Sequence, residues 1–246
     1  MIKKILVSQP KPASEKSPYF EIEAKQDVQF TFHPFIKIEG LSSREFRQQK
    51  IKILDYTAIV FNSRHAIDYF FTLCKELRVQ LPEEMKYFGI SETVALYIQK
   101  YIPYRKRKVF FGSTGKWADL VTVMAKHKTE SYLVPLSDVH SDEVTTMLDA
   151  KKLKHKECVM YRTISNDYPA NEPFDFDMLV LFTPAGVESL IKNFPDFKQG
   201  DMRLACFGPA TKKALEEAGF RVDLSAPTPE ARSMTAAIEQ YLEKQQ

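Results

Sequence analysis

The sequence has only three cysteines, Cys74, Cys158 and Cys206, widely spaced and without a CxxC pair. That excludes a disulfide framework and a cysteine-built zinc site, leaving buried free thiols as the plain reading. No apolar run approaches the roughly 20 residues that span a bilayer, and Ile5-Leu6-Val7 reaches Ser8-Gln9-Pro10 too soon for a secretory signal. A soluble protein of a reducing cytoplasm, with no membrane partner, is expected. Charge of one sign is also scarce. Thirty-five Lys and Arg against 32 Asp and Glu leave a net charge of +3, without the segregated basic stripe of a dedicated nucleic-acid binder. The small positive excess favours anionic ligands.

Standard catalytic apparatus is missing as well. The histidines His33, His65, His127, His140 and His155 form no HxxxH or HExxH pattern, so no metal is expected. There is no GxSxG elbow, and spacing singles out no pair of carboxylates. Gly112-Ser-Thr-Gly115-Lys116-Trp117 resembles a phosphate loop but has two residues between its glycines instead of four, and Trp where Ser or Thr should follow the Lys. A plain strand-to-helix turn fits better. Arg105 to Lys108 reads as a solvated basic loop, with a nucleic-acid or acidic-ligand contact as the competing reading, and Lys151 to Lys156 as a polar helix end whose basic side chains complement the helix dipole. His140 lies in a turn where Ser141 or Asp142 is a natural helix cap.

What is present is a repeat. Short apolar runs, each followed by small polar or Gly/Pro residues and then a helical pattern, predict βαβ units around parallel sheets. The runs are 5–8, 58–61, 87–89, 109–111, 132–135, 178–182, 204–208 and 222–224. Ala58 to Phe61 with Asn62-Ser63 parallels Leu179 to Phe182 with Thr183-Pro184, and Tyr87-Phe88-Gly89 parallels Cys206-Phe207-Gly208. Both matches keep their order and nearly their spacing, which points to two α/β lobes. The expected ligand edge of each lies at the carboxyl ends of its strands, so that two facing lobes make a cleft. Because the 5–8 strand precedes the first repeat, it is expected to complete the other lobe's sheet. The extended segments His33 to Ile38 and Cys158 to Ile164 then serve as crossings.

Ser63, Ser91, Thr93, Thr183, Ser189 and Thr211 stand at or near the strand-to-helix turns. Small hydroxyl residues there are first of all helix caps. Their other reading is carboxylate binding, shared with free backbone N–H groups and the helix dipole.

Taken in order, Phe32-His-Pro-Phe-Ile36, Phe61-Asn-Ser63, Met160-Tyr-Arg-Thr163, Phe182-Thr-Pro-Ala-Gly186, Gly208-Pro-Ala-Thr211 and Ala226-Pro-Thr-Pro-Glu230 resemble the motifs of the uroporphyrinogen-III synthase family. The resemblance covers most of the chain. It implies two α/β domains joined by a two-stranded β-ladder, with residues 1–36 plus 168–246 in one, 40–157 in the other, and 33–39 and 158–167 linking them. It implies cyclisation of the linear tetrapyrrole hydroxymethylbilane to uroporphyrinogen III, with loss of water and inversion of the D ring. The enzyme would be a cytoplasmic monomer that needs no cofactor and binds a polycarboxylate small molecule, not nucleic acid.

Tyr161 matches the family's cleft tyrosine, a phenol able to protonate the departing hydroxide; packing in the ladder is its alternative role. The substrate-binding positions implied are Ser63, Arg64, Ser91, Thr93, Thr183, Pro184, Ala185, Gly186, Gly208, Pro209, Ala210 and Thr211. Counted from the glycines, Glu92 rather than Thr93 is the counterpart of Thr211. Asn62, Ala185 and Ala210 replace residues that are commonly Thr or Ser in the family, and Arg64 could compensate by pairing a propionate. Ala185 and Ala210 keep open a non-catalytic tetrapyrrole- or anion-binding protein of the same fold. A two-lobed sensor or nucleic-acid-associated protein is the third reading.

Overall fold

Strands that are covered on both faces read as unbroken apolar runs, because neither face can be polar. In the computed structural model, which describes residues 2–245, β1 (Lys4–Val7) is such a strand from Ile5 onward. It is followed by α1 (Pro18–Gln26), β2 (Gln29–Phe32) and β3 (Ile36–Gly40). The middle of the chain builds α2 (Ser43–Gln48), β4 (Ala58–Phe61), α3 (Arg64–Glu76), β5 (Lys86–Gly89), α4 (Glu92–Tyr97) and β6 (Val109–Phe111). After these come α5 (Trp117–Met124), β7 (Tyr132–Ser137), α6 (Glu143–Ala150) and the long β8 (His155–Ser165). The last third adds β9 (Met178–Leu181), α7 (Pro184–Asn193), β10 (Arg203–Phe207), α8 (Pro209–Glu217), β11 (Leu224–Ala226) and α9 (Met234–Glu243).

Contacts divide the chain into two units. Residues before Ile38 together with those from Ile164 onward form the first, and Ile38–Thr163 the second. The sheet of the first has the order β11-β10-β9-β1-β2, and all its pairings are parallel. The N-terminal strand therefore does enter the sheet built by the C-terminal third. In the second unit the order is β8-β7-β4-β5-β6, again parallel, with β3 added beside β8. The division between units falls inside both β3 and β8, so these paired strands form the connecting ladder.

The two sheets have the same layout with the chain cut at a different place. β9, β10 and β11 stand where β4, β5 and β6 stand in the second unit, while β1 and β2 take the places of β7 and β8. The helices follow: α1 packs on α9 as α6 packs on α5, and α7 on α8 as α3 on α4. β9 shows how each sheet is held. Met178 and Val180 point to the face covered by Ile22 and Ile238, whereas Leu179 and Leu181 point to the face covered by Val187 and Leu215. All four strand residues are fully buried, and burying a side chain of this size contributes about 1.5–3 kcal/mol.

In the first unit, β2 and β11 differ from the sequence expectation. β2 carries an alternating Gln-Phe-Thr-Phe pattern because it is an edge strand, so it lacks the continuous apolar run used to find the others. β11 begins at Leu224 rather than at residue 222. The carboxylate of Asp223 is instead committed to Leu204 N–H at 3.0 Å and to Arg221 Nε at 2.8 Å, which anchors the loop just before the strand.

Candidate active site

Apart from Ser189, the candidate residues lie at the carboxyl ends of the sheets, and adjacent strands bring the turns together within each unit. In the second unit, β4 pairs with β5 in the register Phe61 to Gly89, so the turns that follow are neighbours. Ser63 caps α3, its Oγ accepting Ala66 N–H at 3.1 Å, and Ser91 caps α4, accepting Val94 N–H at 3.4 Å. Thr93 Oγ1 lies 3.0 Å from Ser91 Oγ. Arg64 is exposed in the first turn of α3, with its guanidinium carbon 5.3 Å from the centre of the Tyr97 ring. Among the described residues no carboxylate pairs with it, so its charge is available to a ligand.

Tyr161 is placed by an irregularity in the sheet. β8 pairs Val159 with Leu136 but Tyr161 with Ser137, leaving Met160 as an extra residue. A bulge of this kind reverses the inward-outward alternation of a strand. Cys158, Met160 and Tyr161 consequently all face one core. Tyr161 is only 7% exposed. Its ring stacks on Tyr69, with centroids 5.5 Å apart, and its hydroxyl lies 3.2 Å from Ser63 Oγ.

In the first unit, β9 and β10 pair in the register Leu181 to Cys206, which sets their two turns side by side. Thr183 caps α7, accepting Gly186 N–H at 3.1 Å; Pro184 and Ala185 form the intervening first turn. The start of α8 differs. Its cap is Gly208 at φ 86°, with no side-chain hydrogen bond, followed by Pro209. Proline loses nothing at this position, since the first N–H of a helix is unpaired anyway. The N–H groups of Ala210 and Thr211 remain without a protein acceptor among the described residues, and they point out of a helix N-terminus that favours anions. Thr211 itself is 2% exposed.

Beside these turns a cavity of about 530 Å³ opens between Gln9, Tyr19, Phe182, Thr183 and Phe207 on one side and the Arg232-to-Thr235 start of α9 on the other. Among the described residues, no three His, Cys, Asp or Glu side chains are grouped to hold a metal ion, and no helix is long and apolar enough to cross a membrane.

A family model described as uroporphyrinogen-III synthase HemD matches residues 21–236. The chain belongs to the uroporphyrinogen-III synthase family. It is 27% identical over 138 residues to the uroporphyrinogen-III synthase of Saccharomyces cerevisiae, a match covering half of each chain. It is 26% identical over 174 residues to that of Proteus mirabilis, covering 68% of this chain and 84% of the relative. Among solved structures, uroporphyrinogen-III synthetase from Helicobacter pylori has a TM-score of 0.56 at 13% identity, covering 99% of this chain and all of the other. A mutant uroporphyrinogen III synthase from Thermus thermophilus has a TM-score of 0.51 at 14% identity, covering 98% and 99%. At these identities the structural likeness concerns the fold, which is the two-unit α/β architecture of uroporphyrinogen-III synthases.

Against the family pattern the structure revises several correspondences. Helix caps align Ser63 with Thr183 and Ser91 with Gly208, so the hydroxyl in the β4–α3 turn is retained at Ser63 while Asn62 precedes the cap. Counted from the caps, Thr93 corresponds to Ala210, and neither it nor Glu92 is the counterpart of Thr211; that place is Val94. Ala185 and Ala210 both stand at the second helical position, where the backbone N–H is the free donor whatever the side chain. Ser189 is not at a turn but inside α7, where its buried hydroxyl donates to Phe35 O at 2.5 Å. Asp142 occupies the cap of α6 without a side-chain bond, while His140 Nδ1 lies 2.6 Å from Ser137 O.

Two sequence features are absorbed by intramolecular contacts. Asp119 fills the Gly112-to-Lys116 turn, where hydrogen bonding from Thr114, whose N–H lies 3.1 Å away, and from the Ser113 hydroxyl at 2.9 Å holds its carboxyl below the usual range. Of the basic run, Arg105 pairs with the Glu83 carboxylate and Lys108 with its carbonyl oxygen. The residues missed by sequence reasoning are Gln9, Phe182, Phe207, Arg232, Ser233 and Thr235. Ser233 could have been found as the cap of an amphipathic pattern, and its Oγ accepts Ala236 N–H at 3.1 Å. Arg232 carries no local signal.

Proposed function

We infer that the protein cyclises hydroxymethylbilane to uroporphyrinogen III with loss of water and inversion of the D ring. The observation that carries this reading is a phenol, Tyr161, held against the cap of α3 in a chain whose family match runs from residue 21 to 236. The departing hydroxide takes the phenol proton and leaves as water. The methylene cation left behind is bonded first by the substituted α-carbon of ring D. The bond from that carbon to its original methylene bridge then breaks, and the freed bridge is recaptured by the unsubstituted α-carbon of the same ring. This inverts the ring, and that carbon sheds its proton and so restores the phenol. No redox partner enters the balance.

The rest of the site binds and orients. A flexible chain with eight carboxylates closes correctly only when its conformation is held, and orientation alone can account for several kcal/mol of a barrier. Free N–H groups at the starts of α3, α4, α7 and α8, with Arg64, supply donors for those carboxylates. The proposal places binding in domains 1–36 with 168–246 and 40–157, linked by 33–39 and 158–167. It also takes the enzyme as a cytoplasmic monomer without metal or organic cofactor. All three thiols are unpaired and buried, in keeping with a reducing compartment.

The test incubates purified protein with freshly generated hydroxymethylbilane and separates the type I and type III isomers. Type III product is expected; type I alone would sink the enzyme reading. Tyr161→Phe is expected to slow turnover severalfold or more, and an unchanged kcat would remove the acid role. A non-catalytic tetrapyrrole-binding protein is the second reading, favoured by Ala185 and Ala210, where two family hydroxyls are absent.

A further inference from the structure

In the first unit the connections leave the sheet in opposite directions at one place, between β1 and β9. The chain goes from β1 outward to β2, and from β9 the other way to β10 and β11. In an open parallel sheet the crevice for a ligand forms outside the carboxyl ends of the strands at this switch point. The cavity of about 530 Å³ lies there, with Gln9 following β1 and Phe182 following β9. Its size is within the roughly 300–1,000 Å³ typical of small-molecule sites.

Its chemistry is specific. The Phe182 and Phe207 rings, 6.2 Å apart and inclined by 31°, line it with aromatic surface. Arg232 is exposed at its rim, and among the described residues no carboxylate pairs with it. No lining residue is acidic. Four other surface cavities each have an Asp or Glu in their walls, so their cations already face an internal anion. Here a guanidinium stands beside an aromatic floor with hydroxyls from Thr183 and Thr235 nearby. That combination suits a flat, electron-rich ring bearing a carboxylate arm, stacked by one group and paired by the other.

We propose that this cavity seats one pyrrole ring of the linear tetrapyrrole against Phe182 and Phe207, with its acetate or propionate on the Arg232 guanidinium. Arg232 is then a binding residue that helps select the carboxylated substrate. The proposal rests on the functional reading above and assigns residues that reading does not use.

Full-length protein and the Arg232→Gln and Arg232→Lys variants, all altered on an exposed side chain, separate the two. With hydroxymethylbilane, Arg232→Gln is expected to raise KM about tenfold while kcat stays within about twofold, and Arg232→Lys to recover part of the loss. Amide chemical-shift mapping with a monopyrrole carrying one acetate and one propionate arm is the independent readout. Shifts centred on Gln9, Phe182, Phe207 and Thr235, weakened at least fivefold in Arg232→Gln, support the site. A KM unchanged in Arg232→Gln, or shifts elsewhere with equal affinity in both proteins, overturns it. If the wild type forms no type III isomer but the monopyrrole still maps here, the functional reading fails and the subsite stands.

Discussion

Gly89 and Gly208 sit at matching points of the sequence repeat, yet each is required for a different reason. A Cβ on Gly89 would lie 2.7 Å from Ala95 N, so this glycine permits α4 to pack closely over the end of β5. At Gly208 the space is open and the backbone is at φ 86°, a conformation L side chains rarely adopt. Repeats seen in sequence therefore report shared architecture more faithfully than shared roles. Glu45 gives a pH prediction at the same scale. It accepts hydrogen bonds from Ser42, by both hydroxyl and N–H, and from Arg162 Nη1 at 2.8 Å, which push its carboxyl down to about 2. An unfolded glutamate titrates near 4.3. The stabilisation is thus present above about pH 4.3 and fades as pH falls toward 2. Urea midpoints of wild type and Glu45→Gln should differ at pH 6 and converge toward pH 2–3; a gap independent of pH would contradict the assignment.

The helix starts explain why part of the site was legible and part was not. Ser63, Ser91 and Thr183 are caps because a hydroxyl immediately before the first turn answers the unpaired N–H three residues further on, a requirement that is local in sequence. Ser63→Ala is expected to cost about 1 kcal/mol of stability, measured by chemical denaturation, with Ser63→Thr close to wild type. Equal loss in both variants would show that the Tyr161 contact, rather than the cap, dominates at this position. The bulge in β8 was not legible. Strand propensity marks 158–164 as extended, but the inward turn of Tyr161 depends on its register against β7.

At the scale of the molecule, the second unit is one continuous segment with a core on each face of its sheet, whereas the first needs both ends of the chain. The isolated segment Ile38–Thr163 is accordingly expected to fold alone and to unfold in a single cooperative urea transition followed by circular dichroism; a broad, non-cooperative loss of signal would refute this. The sequence by itself determined the parallel α/β class, the doubled pattern and most turn caps, because burial on both faces of a strand and the pairing of helix-end N–H groups act over a few residues. Tertiary structure decided that β1 inserts beside β9, creating the switch point where Gln9, Phe182 and Arg232 meet. Residues more than 170 positions apart are joined only by strand register and packing, which no local pattern records.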